Sequence, residues 1–75
     1  MKEIIDETTL YKIKSKLLEL KKEFEESDNL DGQVIVNLNI NKVIVLIEEY
    51  DKTGNLTFSS EESARDLGNT LGVWG

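Results

Sequence analysis

Residues 33–50 read QVIVNLNINKVIVLIEEY, and the fold turns on the period assigned to them. Val34, Val36, Leu38 and Ile40 alternate with Ile35, Asn37, Asn39 and Asn41. Period two is the pattern of a strand, whose successive side chains point to opposite faces. Val43-Ile44-Val45-Leu46-Ile47 is continuous and mostly β-branched, which suits a strand covered on both faces. A two-residue turn at Asn41-Lys42 joins the two: Asn tolerates a positive φ, although Lys is a poor second residue. This register sets Ile40 opposite Val43, Leu38 opposite Val45 and Val36 opposite Ile47. Directly opposed residues share a face, so one face becomes wholly apolar.

Downstream, Asp51-Lys52-Thr53-Gly54 reads as a second turn, with Gly54 free to take the left-handed conformation. It leads into Asn55-Leu56-Thr57-Phe58-Ser59 and pairs Ile47 with Phe58 and Glu49 with Leu56, on the same apolar face. Ser59 and Glu62 read as a capping box that opens a helix with Ala64, Leu67 and Leu71 along its edge. Gly68 and Gly72 weaken that helix by about 1 kcal/mol each relative to Ala.

Upstream, Leu10, Ile13, Leu17, Leu20 and Phe24 line one helical face, with Tyr11 and Leu18 widening the stripe. Asp6, Thr8 or Thr9 caps its start, and Asp6 and Glu7 suit the positive end of the helix dipole. The helix is expected to stop near Ser27-Asp28-Asn29, before Gly32. The expected architecture is a single α+β domain over 1–75 in the order α-β-β-β-α. Its helices span 8–26 and 60–71, and an antiparallel meander of strands spans 33–40, 43–50 and 55–59. The expected core sets Val36, Leu38, Val45, Ile47 and Phe58 against the stripe of the first helix.

Composition bounds the function. Seventy-five residues without Cys or His exclude disulfides and leave zinc or haem without their usual ligands. No cofactor or metal is expected. Catalysis lacks a His base and a Cys nucleophile. Its carboxylate pairs, Glu48-Glu49 and Glu61-Glu62, are sequence neighbours, and in a strand the first pair would point to opposite faces. Asp51 to Glu62 has the length of a calcium loop, but its sixth position is Leu56 where a sharp turn needs Gly. Met1 to Asp6 has no apolar signal core, and Val43 to Ile47 is too short to span a bilayer, so a cytoplasmic protein without membrane contact is expected.

The charge is uneven. The net charge of −6 combines −2 over residues 1–9, +4 over residues 10–22 (Lys12, Lys14, Lys16, Lys21 and Lys22 against Glu19) and −8 over residues 23–75. Such a chain is attracted to basic protein surfaces and repelled by nucleic acid, unless the lysine row of the first helix acts alone. The abundance of Ile, Lys and Asn and the lack of Pro fit an AT-rich coding sequence of a low-GC bacterium or its phage.

The α-β-β-β-α order is also that of double-stranded-RNA-binding domains, but the basic cluster those domains need at their last helix is replaced by Ser60-Glu61-Glu62-Ser63. The order and the charge together resemble small acidic anti-CRISPR proteins of phage, at the level of topology only. That resemblance implies nucleic-acid mimicry against a basic groove. The expected function is non-enzymatic: an inhibitor or adaptor that binds a basic protein, as a monomer or homodimer. The candidate contacts are the acidic Glu48, Glu49, Asp51, Glu61, Glu62 and Asp66, and the apolar Ile35, Leu46, Tyr50 and Trp74. The rivals are a homo-oligomer that buries the second sheet face and a nucleic-acid binder that uses the lysine row.

Overall fold

The computed structural model describes residues 5–73 and is built of three helices, α1 Glu7–Glu26, α2 Leu30–Thr53 and α3 Phe58–Leu71. No strand occurs among the described residues. The α+β meander is therefore wrong, and the segment expected to form a hairpin is one continuous helix through Asn41-Lys42.

The physical reason lies in a second period carried by the same residues. Gly32, Val36, Ile40, Val43 and Ile47 recur at helical spacing, and all five are buried. Val36 and Ile40 satisfy both periods, so alternation over residues 34–40 does not discriminate. Length does: no Gly or Pro occurs from residue 33 to residue 53, and an unbroken run that long exceeds a strand. Each β-branched residue costs a few tenths of a kcal/mol in a helix, about 0.7 at most. Burying a Val or Ile side chain returns about 1.5–3 kcal/mol, so packing wins over propensity.

The change of period redistributes the expected core. Val36 and Ile47 are buried, whereas Leu38, Val45 and Phe58 are 58, 59 and 72% exposed. The α1 stripe packs as expected: Leu10, Ile13 and Leu17 are fully buried, and Leu20 and Phe24 pack against them half-buried. Tyr11 and Leu18, expected to widen that stripe, face solvent. Of the second sheet face, Leu46 is buried, Ile44 and Tyr50 are half-buried and Ile35 is exposed.

Local chemistry sets each helix boundary. Asp6 opens α1: its Oδ1 accepts from the Thr9 N–H at 2.8 Å and the Thr9 hydroxyl at 2.9 Å. These bonds favour the charged form and hold the Asp6 carboxyl below the usual aspartate range, with the Thr9 N–H the larger cause. At the other end Asp28 takes a left-handed φ of 55°. The Asn29 N–H donates to the Phe24 carbonyl at 2.9 Å and the Asp28 N–H to the Glu25 carbonyl at 3.3 Å, which closes α1 in a Schellman arrangement. Asn29 then opens α2, its Oδ1 accepting from the Gly32 N–H at 2.9 Å. One residue thus ends one helix and starts the next, so α1 and α2 fold back as an antiparallel pair. Gly32 lets α2 cross close to α1 at this joint, since a Cβ there would lie 2.9 Å from the Phe24 ring.

Gly54 ends α2 with φ 75°, the left-handed state expected of it, its N–H donating to the Tyr50 carbonyl at 2.7 Å. The last helix forms as expected but starts earlier. Thr57 caps it, not Ser59: Thr57 Oγ1 accepts from the Ser60 N–H at 3.2 Å. The small residues Ala64 and Gly68, both buried, let α3 lie close against the α1–α2 pair, with Leu67 and Leu71 half-buried beside them.

Candidate functional site

The acidic candidates divide into a corner and an outlier. Glu48, Glu49 and Asp51 end α2, and Glu61 and Glu62 lie in the first turns of α3, so five carboxylates and Lys52 flank the α2–α3 connection along the chain. Neighbours on a helix differ by about 100°, so Glu48 and Glu49 do not take the opposite faces expected of a strand. Glu49 is committed to the fold. Its Oε1 accepts from the Thr57 N–H at 3.2 Å and its Oε2 from the Ser60 hydroxyl at 2.8 Å. It therefore acts as a second cap on the positive end of α3. Glu48, Asp51 and Glu62 are exposed and Glu61 is half-exposed. Asp66 stands apart, bordering a shallow trough between α2 and α3 with Asn39, Lys42, Ser63, Leu67 and Thr70. Among the described residues no cluster of three carboxylates is placed to hold a metal ion.

The lysine row does not form one face. Lys12 and Lys16 flank a surface trough of about 490 Å³ shared by α1 and the end of α3. At about 100° per residue, Lys14 and Lys21 lie on the other flank of α1, and both are half-buried. Lys22 lies between these pairs, on the solvent side. A phosphate backbone tracking α1 meets two of these lysines at a time.

The apolar candidates separate sharply. Leu46 belongs to the core and Tyr50 packs against it, while Ile35 is open to solvent. Trp74 lies outside the described residues. Sequence reasoning missed the surface to which Ile35 belongs. Leu30, Val34, Ile35, Leu38 and Val45 lie 58–72% exposed along the side of α2 turned away from α1. Their spacings of 4, 1, 3 and 7 residues were legible as a second helical stripe, but only once the segment is taken as helix. In the strand register Val34, Leu38 and Val45 took one face of the sheet and Ile35 the other, and Leu30 lay outside the strands.

By length and composition α2 is also apolar enough to cross a membrane. A core helix of a bundle has the same length and composition, and a third of the apolar stretch of α2 is buried inside the bundle. The helix also carries Asp31, Lys42, Asn37, Asn39 and Asn41, side chains that are costly in hydrocarbon.

Comparison with protein families, curated sequences and solved structures finds no match to this chain. The topological half of the anti-CRISPR resemblance rested on three strands; α2 replaces the first two, and the third falls in the connection to α3 and its first residues. The charge half stands by itself.

Proposed function

We propose that this chain is a small non-enzymatic protein-binding module whose contact surface is the exposed side of α2. One observation carries the reading: five large aliphatic side chains, each more than half exposed, lie along one side of a single helix. Scattered apolar residues on a surface need no explanation, but a contiguous stripe does. A domain this small has few aliphatic side chains, and water-exposed apolar area forgoes about 25 cal/mol per Å² of burial. A partner that covers the stripe recovers that energy.

Replacing Val34 and Leu38 together by Gln tests the reading. Both residues are exposed, so thermal stability measured at low protein concentration is expected to stay within about 0.5 kcal/mol of the parent per site. A cooperative loss of structure in the double variant would place these residues in the core and end the reading.

A second reading is favoured by the acidic corner. Among the described residues, four carboxylates there, other than Glu49, accept no hydrogen bond, so an inhibitor or adaptor acting on a basic protein could use them. Under that reading Glu61→Lys slows association and raised salt weakens it, because exposed charges are screened beyond about 8 Å at physiological ionic strength. A partner indifferent to both changes excludes it.

A further inference from the structure

We infer that the occupant of the α2 stripe is a second copy of this chain, docked antiparallel about a two-fold axis at the level of Val36 and Asn37. The inference rests on the α2 stripe being the contact surface, and it names the partner. The observation behind it is the charge pattern on that side of the helix. From Gly32 to Ile47 the only charged residue is Lys42, and Asp31 stands just before the segment. At about 100° per residue, Asp31, Val34, Ile35, Leu38, Lys42 and Val45 fall within an arc of roughly 100°. The stripe therefore has an acid at one end, a base about three turns further on, and Val34, Ile35 and Leu38 between them. Both charges are exposed, and among the described residues no ion pair engages either. Asp66 borders the trough beside Lys42 without pairing with it.

This pattern is its own complement under one operation. A two-fold interface presents the same patch on both sides, so each residue meets its mate's counterpart twice. Set antiparallel with the axis at residues 36–37, Leu38 of each copy lies over Ile35 of the other. Asp31 of each copy lies over Lys42 of the other, and Leu30 comes beside Val45. A parallel pair would instead stack Asp31 on Asp31 and Lys42 on Lys42. Charge thus selects the antiparallel arrangement, and residue spacing selects its register. The stripe is also the part of a −6 chain where acid and base balance, which makes it the side from which two copies can approach with least repulsion.

The test is sedimentation equilibrium across a wide concentration range, with circular dichroism to verify folding. The full chain is expected to dimerise with increasing concentration. Lys42→Glu sets acid against acid twice, and Asp31→Lys sets base against base twice. Each variant alone is expected to dimerise roughly tenfold more weakly. Mixed in equal amounts, the two are expected to form a heterodimer that restores the parent affinity, because every opposed pair is again of opposite sign. Lys42→Gln, milder for the helix, is expected to give an intermediate loss. A chain that stays monomeric throughout overturns the inference, as does a dimer indifferent to both single substitutions. Recovery of a monomeric chain on phosphatidylcholine–phosphatidylglycerol vesicles also overturns it. The wider reading fails separately, through unfolding of the Val34→Gln, Leu38→Gln variant. A folded variant together with a monomeric parent removes only the self-docking.

Discussion

Replacing Asn37 and Asn41 by Ala is expected to stabilise the protein, and the sign of this effect distinguishes a helix from a hairpin. Both residues lie in the interior of α2, both are exposed, and neither side chain makes a hydrogen bond among the described residues. No contact is lost on truncation, so intrinsic propensity decides. Asn is less favourable than Ala in a helix interior by about 0.5–0.7 kcal/mol, because its amide competes for nearby backbone groups. The pair therefore contributes about 1–1.4 kcal/mol, which for a domain of this size raises the Tm by roughly 4–10 °C. A thermal melt followed by far-ultraviolet circular dichroism at low protein concentration measures it. In a hairpin turning at Asn41-Lys42 the same change has the opposite sign. Ala at a left-handed turn position costs about 1–2 kcal/mol, and Ala is also depleted in strands. A lowered Tm in the double variant would refute the helical account of residues 33–50.

Leu17 is fully buried between α1 and α2, so Leu17→Ala is expected to cost about 2–5 kcal/mol and to unfold much of the population, read by urea titration. Gly54 has φ 75° and open space around its Cα, so Gly54→Ala is expected to cost about 1–2 kcal/mol through backbone strain alone. Gly54→Asn is expected to cost less in the same titration, because Asn tolerates the left-handed region. The Asp6 carboxyl is held below its ordinary range by the α1 cap, so its contribution is fully present above the ordinary aspartate pKa and is lost as pH falls through the lowered value. Asp6→Asn keeps a capping acceptor but cannot titrate. Acid melts of this variant are expected to lack the component that the parent loses below about pH 4.

Much of the chain was legible without coordinates wherever a local rule acts alone. The α1 stripe, a cap among Asp6, Thr8 and Thr9 (the structure uses Asp6), the stop at Ser27-Asp28-Asn29, the left-handed Gly54 and the existence of the last helix each follow from spacing and side-chain chemistry within a few residues. The cap of α3 was displaced by two residues because Thr57-Phe58-Ser59-Ser60 offers several hydroxyls, and Glu49 tips the choice by reaching across from α2 to the Thr57 N–H and the Ser60 hydroxyl. That bond joins residues 8 and 11 positions apart, beyond the reach of a local pattern. Residues 33–50 are the larger case. Their sequence determined that one apolar face would be buried, yet it carried two periods at once, and β-branched content favoured the wrong one. The unbroken run from residue 33 to residue 53 argued for the helix, and tertiary packing settled it: only as a helix do Val36, Ile40, Val43 and Ile47 meet Leu10, Ile13 and Leu17 in one core. That choice turned Leu38 and Val45, interior in the other register, out to the surface as part of the candidate interface.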